Sequence, residues 1–279
     1  MTKRMERLLD ALTGPAMAFE GIERWREVPL AHQGLVGPDA PGNSLEAFDK
    51  AARSGYGIEL DVRLCKDGLV VLHDRTVDCA GGVRRVRDMT RAELLAALPK
   101  GCAPELGPAL MLIAGRVPLA VELKSDGLRG AGKLARAAAQ ALGNYAGPRC
   151  VLSFDPRALR AFGKLLPDVP RGQLVAGRAD MRRWCGGALG WLLGNLLLNR
   201  VSRPALAAVQ ADAHSRGIAA WRRRGGACAA WTLTTRAQVC RARAQGDIAI
   251  FEGEEARAAV EREYAGRWDV LRRWTGLRG

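Results

Sequence analysis

This chain is patterned as a single-domain (β/α)8 barrel. Short apolar runs of strand length alternate with longer stretches of helical period, which is how a parallel sheet wrapped by helices is written. Eight such runs fit within 279 residues, and no linker or low-complexity tract separates them into two domains. A doubly wound dinucleotide-binding sheet is disfavoured, since no G-x-G-x-x-G sits between a first strand and its helix.

Taken in order, the predicted strands are 28–31, 57–62, 117–123, 150–154, 172–175, 205–209, 227–231 and 247–251. The fifth and sixth are the weakest of the series. Helices are predicted at 44–54, after an Asn-Ser cap signal, and at 91–97, 130–142, 156–166, 181–198, 211–216, 236–245 and from 254 onward. Asp67-Gly68 is a tight-turn signal, so 68–74 is expected to fold back as a short arm on the second strand.

Before residue 27 the apolar positions are interrupted by Glu6, Arg7 and Asp10, which predicts an amphipathic helical extension over 1–26 and not a signal peptide. The barrel domain then occupies 27–279, and a cytoplasmic setting is expected. The most apolar stretch, GALGWLLGNLLLN at 187–199, falls short of the roughly 20 residues a membrane span needs. It is expected to pack in the core. Its arginine-rich flanks, Arg178, Arg182, Arg183, Arg200 and Arg203, keep peripheral contact with an anionic membrane open as an alternative.

A net charge of +14 and a pI near 10.2 call for an anionic partner. Nucleic acid is disfavoured, because the arginines are scattered and aromatics make up only 5% of the chain, too few to interleave as stacking platforms. The seven cysteines are widely spaced with no C-x-x-C pair, so neither a zinc site nor a disulfide framework is expected.

The stretch GYGIELDVRLCKDGLVVLHD alternates as a strand, with Glu59 and Asp61 on the face opposite Ile58, Leu60 and Val62. In a barrel the apolar face packs on the helices, and the other face looks into the mouth at the strand's C-terminal end. Two carboxylates there repel each other, and a hard divalent cation such as Mg²⁺ or Ca²⁺ relieves them. Ion pairing to Arg63 or Lys66 is the competing explanation.

VPLAVEL at 117–123 supplies a third strand-end acid, Glu122, followed by Lys124. The bland account is a Glu122–Lys124 salt bridge. With three acids at one rim, metal binding is the favoured expectation. Of three histidines, His32 and His73 end apolar runs that feed the same mouth, and paired imidazoles suit acid and base work. His214 is expected at the surface.

The series AHQG (31–34), PGNSLEAF (41–48), GIELDVRLCKDGLVVLHD, VELK (121–124), LSFDP (152–156), WTL (231–233) and IFEG (250–253) resembles the glycerophosphodiester phosphodiesterase family. The resemblance runs from about residue 28 to 255 and is loose over 172–224. It implies a (β/α)8 barrel that hydrolyses glycerophosphodiesters to glycerol 3-phosphate and an alcohol with a divalent cation. It further implies His32 and His73 as general acid and base, Glu59, Asp61 and Glu122 as metal ligands, Lys124 and Gln33 as phosphate contacts, and Trp231 as an apolar wall. In that scheme the substrate's own hydroxyl attacks first, and water opens the cyclic phosphate. Two positions depart from the family pattern: Gln33 stands where arginine is usual, and Gly42 where glutamate is usual. A non-hydrolytic barrel that binds phosphodiesters or anionic lipid headgroups is the alternative function.

Overall fold

The computed structural model describes residues 12–15, 17–99, 101–126 and 130–275. The helical extension predicted over 1–26 falls outside them at 1–11 and 16; of the rest, 12–13 and 22–26 are helical, whereas 14–15 and 17–21 are not, so the prediction of a helical extension is corrected there. Within the described residues, eight parallel strands close into a barrel: β1 (Leu30–His32), β2 (Gly57–Leu64), β6 (Leu119–Leu123), β7 (Arg149–Ser153), β8 (Arg171–Val175), β9 (Leu206–Gln210), β10 (Ala227–Leu233) and β11 (Ile248–Phe251). Closure is the pairing of the first strand with both its neighbours, Ala31 lying opposite Phe251 on one side and opposite Ile58 on the other. The predicted (β/α)8 barrel is the observed fold.

Alternation along the strands sorts side chains between two cores. Ile58, Leu60, Val62, Leu119, Val121 and Leu123 face outward and pack under the helices. Leu30, Ala120, Leu152, Leu174, Leu206, Ala229 and Ile250 fill the lumen. Phe19 and Trp25, the latter on α1 (Ile22–Glu27), join the lumen cluster with ring centroids 5.4 Å apart. They precede β1 and therefore close the N-terminal end, which leaves the opposite end as the mouth.

The surrounding helices form for legible reasons. In α2 (Leu45–Arg53) Ser44 caps by accepting from Ala47 N. In α3 (Arg91–Ala97) Thr90 and Glu93 make a reciprocal capping box. In α5 (Ala131–Gly143) Leu134, Ala135, Ala138 and Leu142 form the buried stripe of a 3.6-residue period. Between β2 and β6 the chain makes an excursion: β3 (Leu69–Val71) returns antiparallel on β2 through the predicted Asp67-Gly68 turn, and β4 (Thr76–Cys79) and β5 (Gly82–Arg85) form a separate hairpin. Helix α4 (Leu106–Ile113) was not expected, because LGPALMLI is a continuous apolar run without a polar period.

Two predicted helices are corrected. The helix expected at 181–198 is broken into α7 (Arg178–Cys185) and α8 (Gly187–Gly194), then a short α9 (Asn199–Ser202). Gly186, at φ 81°, turns the chain between the first two, and a Cβ on Gly190 would come within 2.4 Å of Met181 O, so only glycine lets them pack this closely. The helix expected at 211–216 is a turn. Ser215 accepts from Ile218 N and starts α10 (Arg216–Arg223) later, leaving His214 exposed as expected.

Asp155 is the best-satisfied cap of the fold. It opens α6 (Pro156–Leu165), accepts from Arg157 N at 2.9 Å and from the Arg157 guanidinium at 2.8 Å on each oxygen, and accepts from Ser125 Oγ at 2.8 Å. Burial works against its charge, but these donors outweigh it and hold the carboxyl below its ordinary range. A carboxyl depressed on folding stabilises fully above its unfolded pKa, about 3.9, and loses that contribution as pH falls through the folded value. Asp155→Ala is therefore expected to cost about 1 to 2 kcal/mol near neutral pH, with the difference from the parent shrinking below about pH 4. Denaturant melts across pH check both, and a pH-independent difference refutes the charge argument.

Candidate active site

Three adjacent strands, β1, β2 and β6, bring His32, Glu59, Asp61, Glu122 and Lys124 to one arc of the mouth, with β11 flanking β1. His32 ends β1 in register with Glu59, and Asp61 on β2 is in register with Glu122 on β6. One ligand atom from each of Glu59, Asp61 and Glu122 lies within 4.8 Å of the others, and all three residues are buried.

Neither Arg63 nor Lys66 neutralises the pair on β2. Arg63 turns instead to Asp126 at 3.0 Å and to His73 O at 2.8 Å. The balancing charge is Lys124, whose Nζ sits 2.9 Å from Glu122 Oε1 and 3.1 Å from Asp61 Oδ1. The approach to Asp61 is ionic and leaves that buried oxygen without an aligned hydrogen bond. The salt bridge expected for Glu122 and Lys124 is thus present, and it coexists with a cluster able to bind a cation.

The field of the cluster is uneven. Burial, and after it the Asp61 charge, push Glu59 well above the usual carboxylate range. Burial likewise raises Glu122, although Lys124 opposes it. Asp61 is also penalised by burial, but Lys124 and the Asn43 hydrogen bond outweigh the penalty and hold it low. Lys124 is itself pushed up, because the surrounding acids overcome its desolvation. Lys124 and the raised His32 imidazole both face the three buried carboxylates, and the upward shifts of Glu59 and Glu122 mark the acid crowding that remains. The donor set is all oxygen, which suits a hard divalent ion.

Second partners fix these groups. Asn43 Nδ2 donates to Asp61 Oδ2 at 2.8 Å, and Asp61 N donates to Asn43 Oδ1 at 3.1 Å. His32 Nδ1 donates to Glu252 Oε2 at 2.7 Å, which turns Nε2 toward Glu59, 3.9 Å from Oε2. Burial would depress His32, but the Glu252 bond and the Glu59 and Asp61 charges outweigh it and push the imidazole up to about 9.

The arm of β3 ends at His73. Leu72 N donates to Asp61 O at 3.0 Å and Arg63 holds His73 O, so the backbone is pinned beside the cluster. The imidazole itself is 51% exposed and meets Asp74 at 2.9 Å. Trp231 stands apart from the acids on β10, separated from β1 by β11, and packs edge-on against Phe154 at 5.7 Å.

Glu252, Asn43 and Asp126 are not among the candidate residues of the sequence, and Arg63 is there only as an ion-pair partner for the acids of β2, a role it does not take. Glu252 had the same signal as Glu122, an acid closing an apolar strand, and Arg63 continues the inward face of Glu59 and Asp61. Asn43 carries only the signal of a helix cap. Asp126 carried no such signal.

The two unusual positions touch. Gln33 Nε2 donates to Asp61 Oδ2 at 3.1 Å, Gln33 N to Glu59 Oε2 at 3.3 Å, and Asn43 N to Gln33 O at 2.9 Å. A Cβ on Gly42 would come within 2.5 Å of Gln33 Oε1. The glutamine side chain therefore fills the space a side chain at 42 would need.

Solved structures with the same fold include a phosphodiesterase from Oleispira antarctica in complex with the product sn-glycerol-3-phosphate (TM-score 0.67, 22% identity, 84% of this chain and 96% of that one). Another is a glycerophosphodiester phosphodiesterase from Thermotoga maritima (TM-score 0.63, 22% identity, 84% and 98%). At such identities they establish the fold. In sequence, the chain is 47% identical over 68 residues to the glycerophosphodiester phosphodiesterase of Caldanaerobacter subterraneus subsp. tengcongensis, spanning 23% of this chain and 28% of that protein. It is 44% identical over 68 residues to that of Bacillus altitudinis, spanning 23% and 27%. The alignments thus span about a quarter of these curated relatives. The profile of the Glycerophosphoryl diester phosphodiesterase family matches residues 32–252, from the first mouth histidine to its glutamate partner. The chain belongs to that family.

Proposed function

We propose that this protein is a metal-dependent phosphodiesterase that hydrolyses glycerophosphodiesters, or a related small phosphodiester, to glycerol 3-phosphate and an alcohol. The observation that carries the proposal is the convergence of Glu59, Asp61 and Glu122 beside a histidine held in orientation by Glu252. A Mg²⁺ or Ca²⁺ ion held by those three carboxylates would offset charge developing on the nonbridging phosphate oxygens.

The chain's own groups supply the rest of the scheme. His32 presents Nε2 to the mouth and carries a proton there, with Glu252 stabilising the imidazolium. His73, at the end of an arm pinned by Arg63, is the partner for the opposite proton transfer, so that one histidine receives a proton from the attacking hydroxyl and the other gives one to the leaving alkoxide. Lys124 and Gln33 border the acids and are positioned to meet phosphate oxygens. Trp231, half-buried against Phe154, forms an apolar wall for the glycerol or alcohol group. The seven free cysteines support a reducing compartment, the cytoplasm, and no helix among the described residues is long and apolar enough to cross a membrane.

A second function, binding phosphodiesters or headgroups without turnover, is favoured by one observation: Gln33 is hydrogen-bonded to Asp61 and wedged over Gly42. Release of glycerol 3-phosphate from glycerophosphocholine or glycerophosphoethanolamine, assayed with Mg²⁺, Ca²⁺ and Mn²⁺ and after chelation, separates the two.

Three outcomes are expected. A divalent cation at about 100 times its Kd should stabilise the parent by about 2.7 kcal/mol, and Glu122→Gln should largely lose that gain; an undiminished thermal shift in the variant removes Glu122 from the ligand set. His32→Ala and His73→Ala should each lower turnover about 10² to 10⁴-fold while leaving the melting temperature near that of the parent. A variant within about twofold of parental activity excludes its histidine from proton transfer. Finally, Gly42→Ala should be costlier in the parent than in a Gln33→Ala background, with a coupling of about 0.5 to 3 kcal/mol; additive costs would show that the two positions are independent.

A further inference from the structure

Helix α8 presents a contradiction. Its sequence, GALGWLLG, has no polar side chain on any face, and a helix apolar all round is ordinarily enclosed on every side. Here only one side is enclosed. Gly190 and Leu193 pack inward against α7, while Leu189 is 46% exposed and Trp191 55% exposed. Trp184, on α7, adds a ring that is 52% exposed.

The position of this surface is informative. The α7–α8 hairpin leaves β8 directly from its C-terminal end and so stands on the mouth side of the barrel. Trp184 packs edge-on against Phe154 at 5.2 Å, and Phe154 in turn meets Trp231 at 5.7 Å. The exposed apolar surface is thus continuous with one wall of the mouth.

Its charge is equally one-sided. Residues 178–203 contain five arginines and one acid, Asp180. Asp180 is engaged by Arg183 at 3.4 Å and accepts from Gln210 Nε2 at 3.3 Å. Arg178 and Arg182 are exposed and make no ion pair among the described residues. Exposed tryptophan and leucine flanked in the chain by exposed arginines match a bilayer interface carrying negative charge, where indole rings sit at headgroup level and each nearby cation adds about 1 kcal/mol. A protein partner would not require the arginines, and a nucleic acid would not require the aliphatic face.

We infer that the α7–α8 hairpin is a membrane-docking surface that seats Leu189 and Trp191 in an anionic lipid bilayer, with Arg178 and Arg182 against its headgroups and the barrel mouth turned toward the membrane. The docking surface lies outside the acid cluster and stands whether or not the site turns over phosphodiesters.

Flotation of the full chain with vesicles tests it. The parent should rise with phosphatidylcholine vesicles containing phosphatidylglycerol and stay behind with pure phosphatidylcholine. Leu189→Ser with Trp191→Ser should weaken partition at least about tenfold, and Arg178→Glu with Arg182→Glu should do the same, with melting temperatures held near the parent's. Brominated lipid in the anionic vesicles should quench parental tryptophan emission, a measurement that needs no variant. Three results overturn the inference: no flotation or quenching with anionic vesicles at low salt; a serine variant that floats as well as the parent, which would assign binding to net charge alone; or a concentration-dependent parental dimer abolished by the serine variant, which would assign the face to a second copy of this chain.

Discussion

The contact on which the site depends is a single ammonium among three buried carboxylates. Lys124 reaches Glu122 and Asp61 together, and without it Asp61 and Glu122 would face each other across adjacent strands with no opposing charge at contact distance, while Glu59 would keep only the His32 imidazole at 3.9 Å. Mutual repulsion in a partly dry lumen would either protonate them or splay the strands. The register of β2 with β6 places the acids and the lysine in reach of one another, and the hydrogen bond from Lys124 N to Val62 O keeps the lysine at that level. Barrel geometry and electrostatic balance are therefore the same constraint.

A layer of less conspicuous groups makes the balance specific. Asn43 grips Asp61 through both side chain and backbone, Glu252 orients His32, and the Arg63–Asp126 pair holds the end of the β3 arm. Gln33 and Asn43 both take positive φ, at 57° and 59°, an uncommon conformation for residues other than glycine. Strain of this kind persists where surrounding bonds over-determine it, and here the Asn43 N to Gln33 O bond and the Gln33 N to Glu59 bond supply that determination. Gln33 and Gly42 occupy one small volume, so the room at either position depends on the side chain at the other.

Much of this was legible in the sequence, and the failures have physical causes. All eight barrel strands could be placed because each is a short apolar run between helical stretches, and Glu59, Asp61 and Glu122 stood out because carboxylates contradict such runs. Glu252 was passed over although it closes β11 as Glu122 closes β6; it lies one residue beyond the strand, and its importance comes from a partner 220 residues away. The break at Gly186 escapes a periodicity count because Met181, Trp184, Ala188 and Trp191 keep a helical spacing across it; the Gly186-Gly187 pair is the turn signal that marks it. The exposure of Trp191 is also beyond composition, which cannot distinguish a helix enclosed on all sides from one enclosed on one.

The bond between His32 and Glu252 spans the seam where the first and last strands of the barrel meet. A ribosome making this chain releases the acid cluster and both histidines early, but the group that orients His32 emerges only with the final strand. A half-barrel lacking β11 leaves the His32 imidazole without its glutamate partner, however well its own strands pair. The constellation is complete only when the last strand pairs with the first, so a chain terminated before β11 carries the acids of the cluster without the glutamate that orients His32.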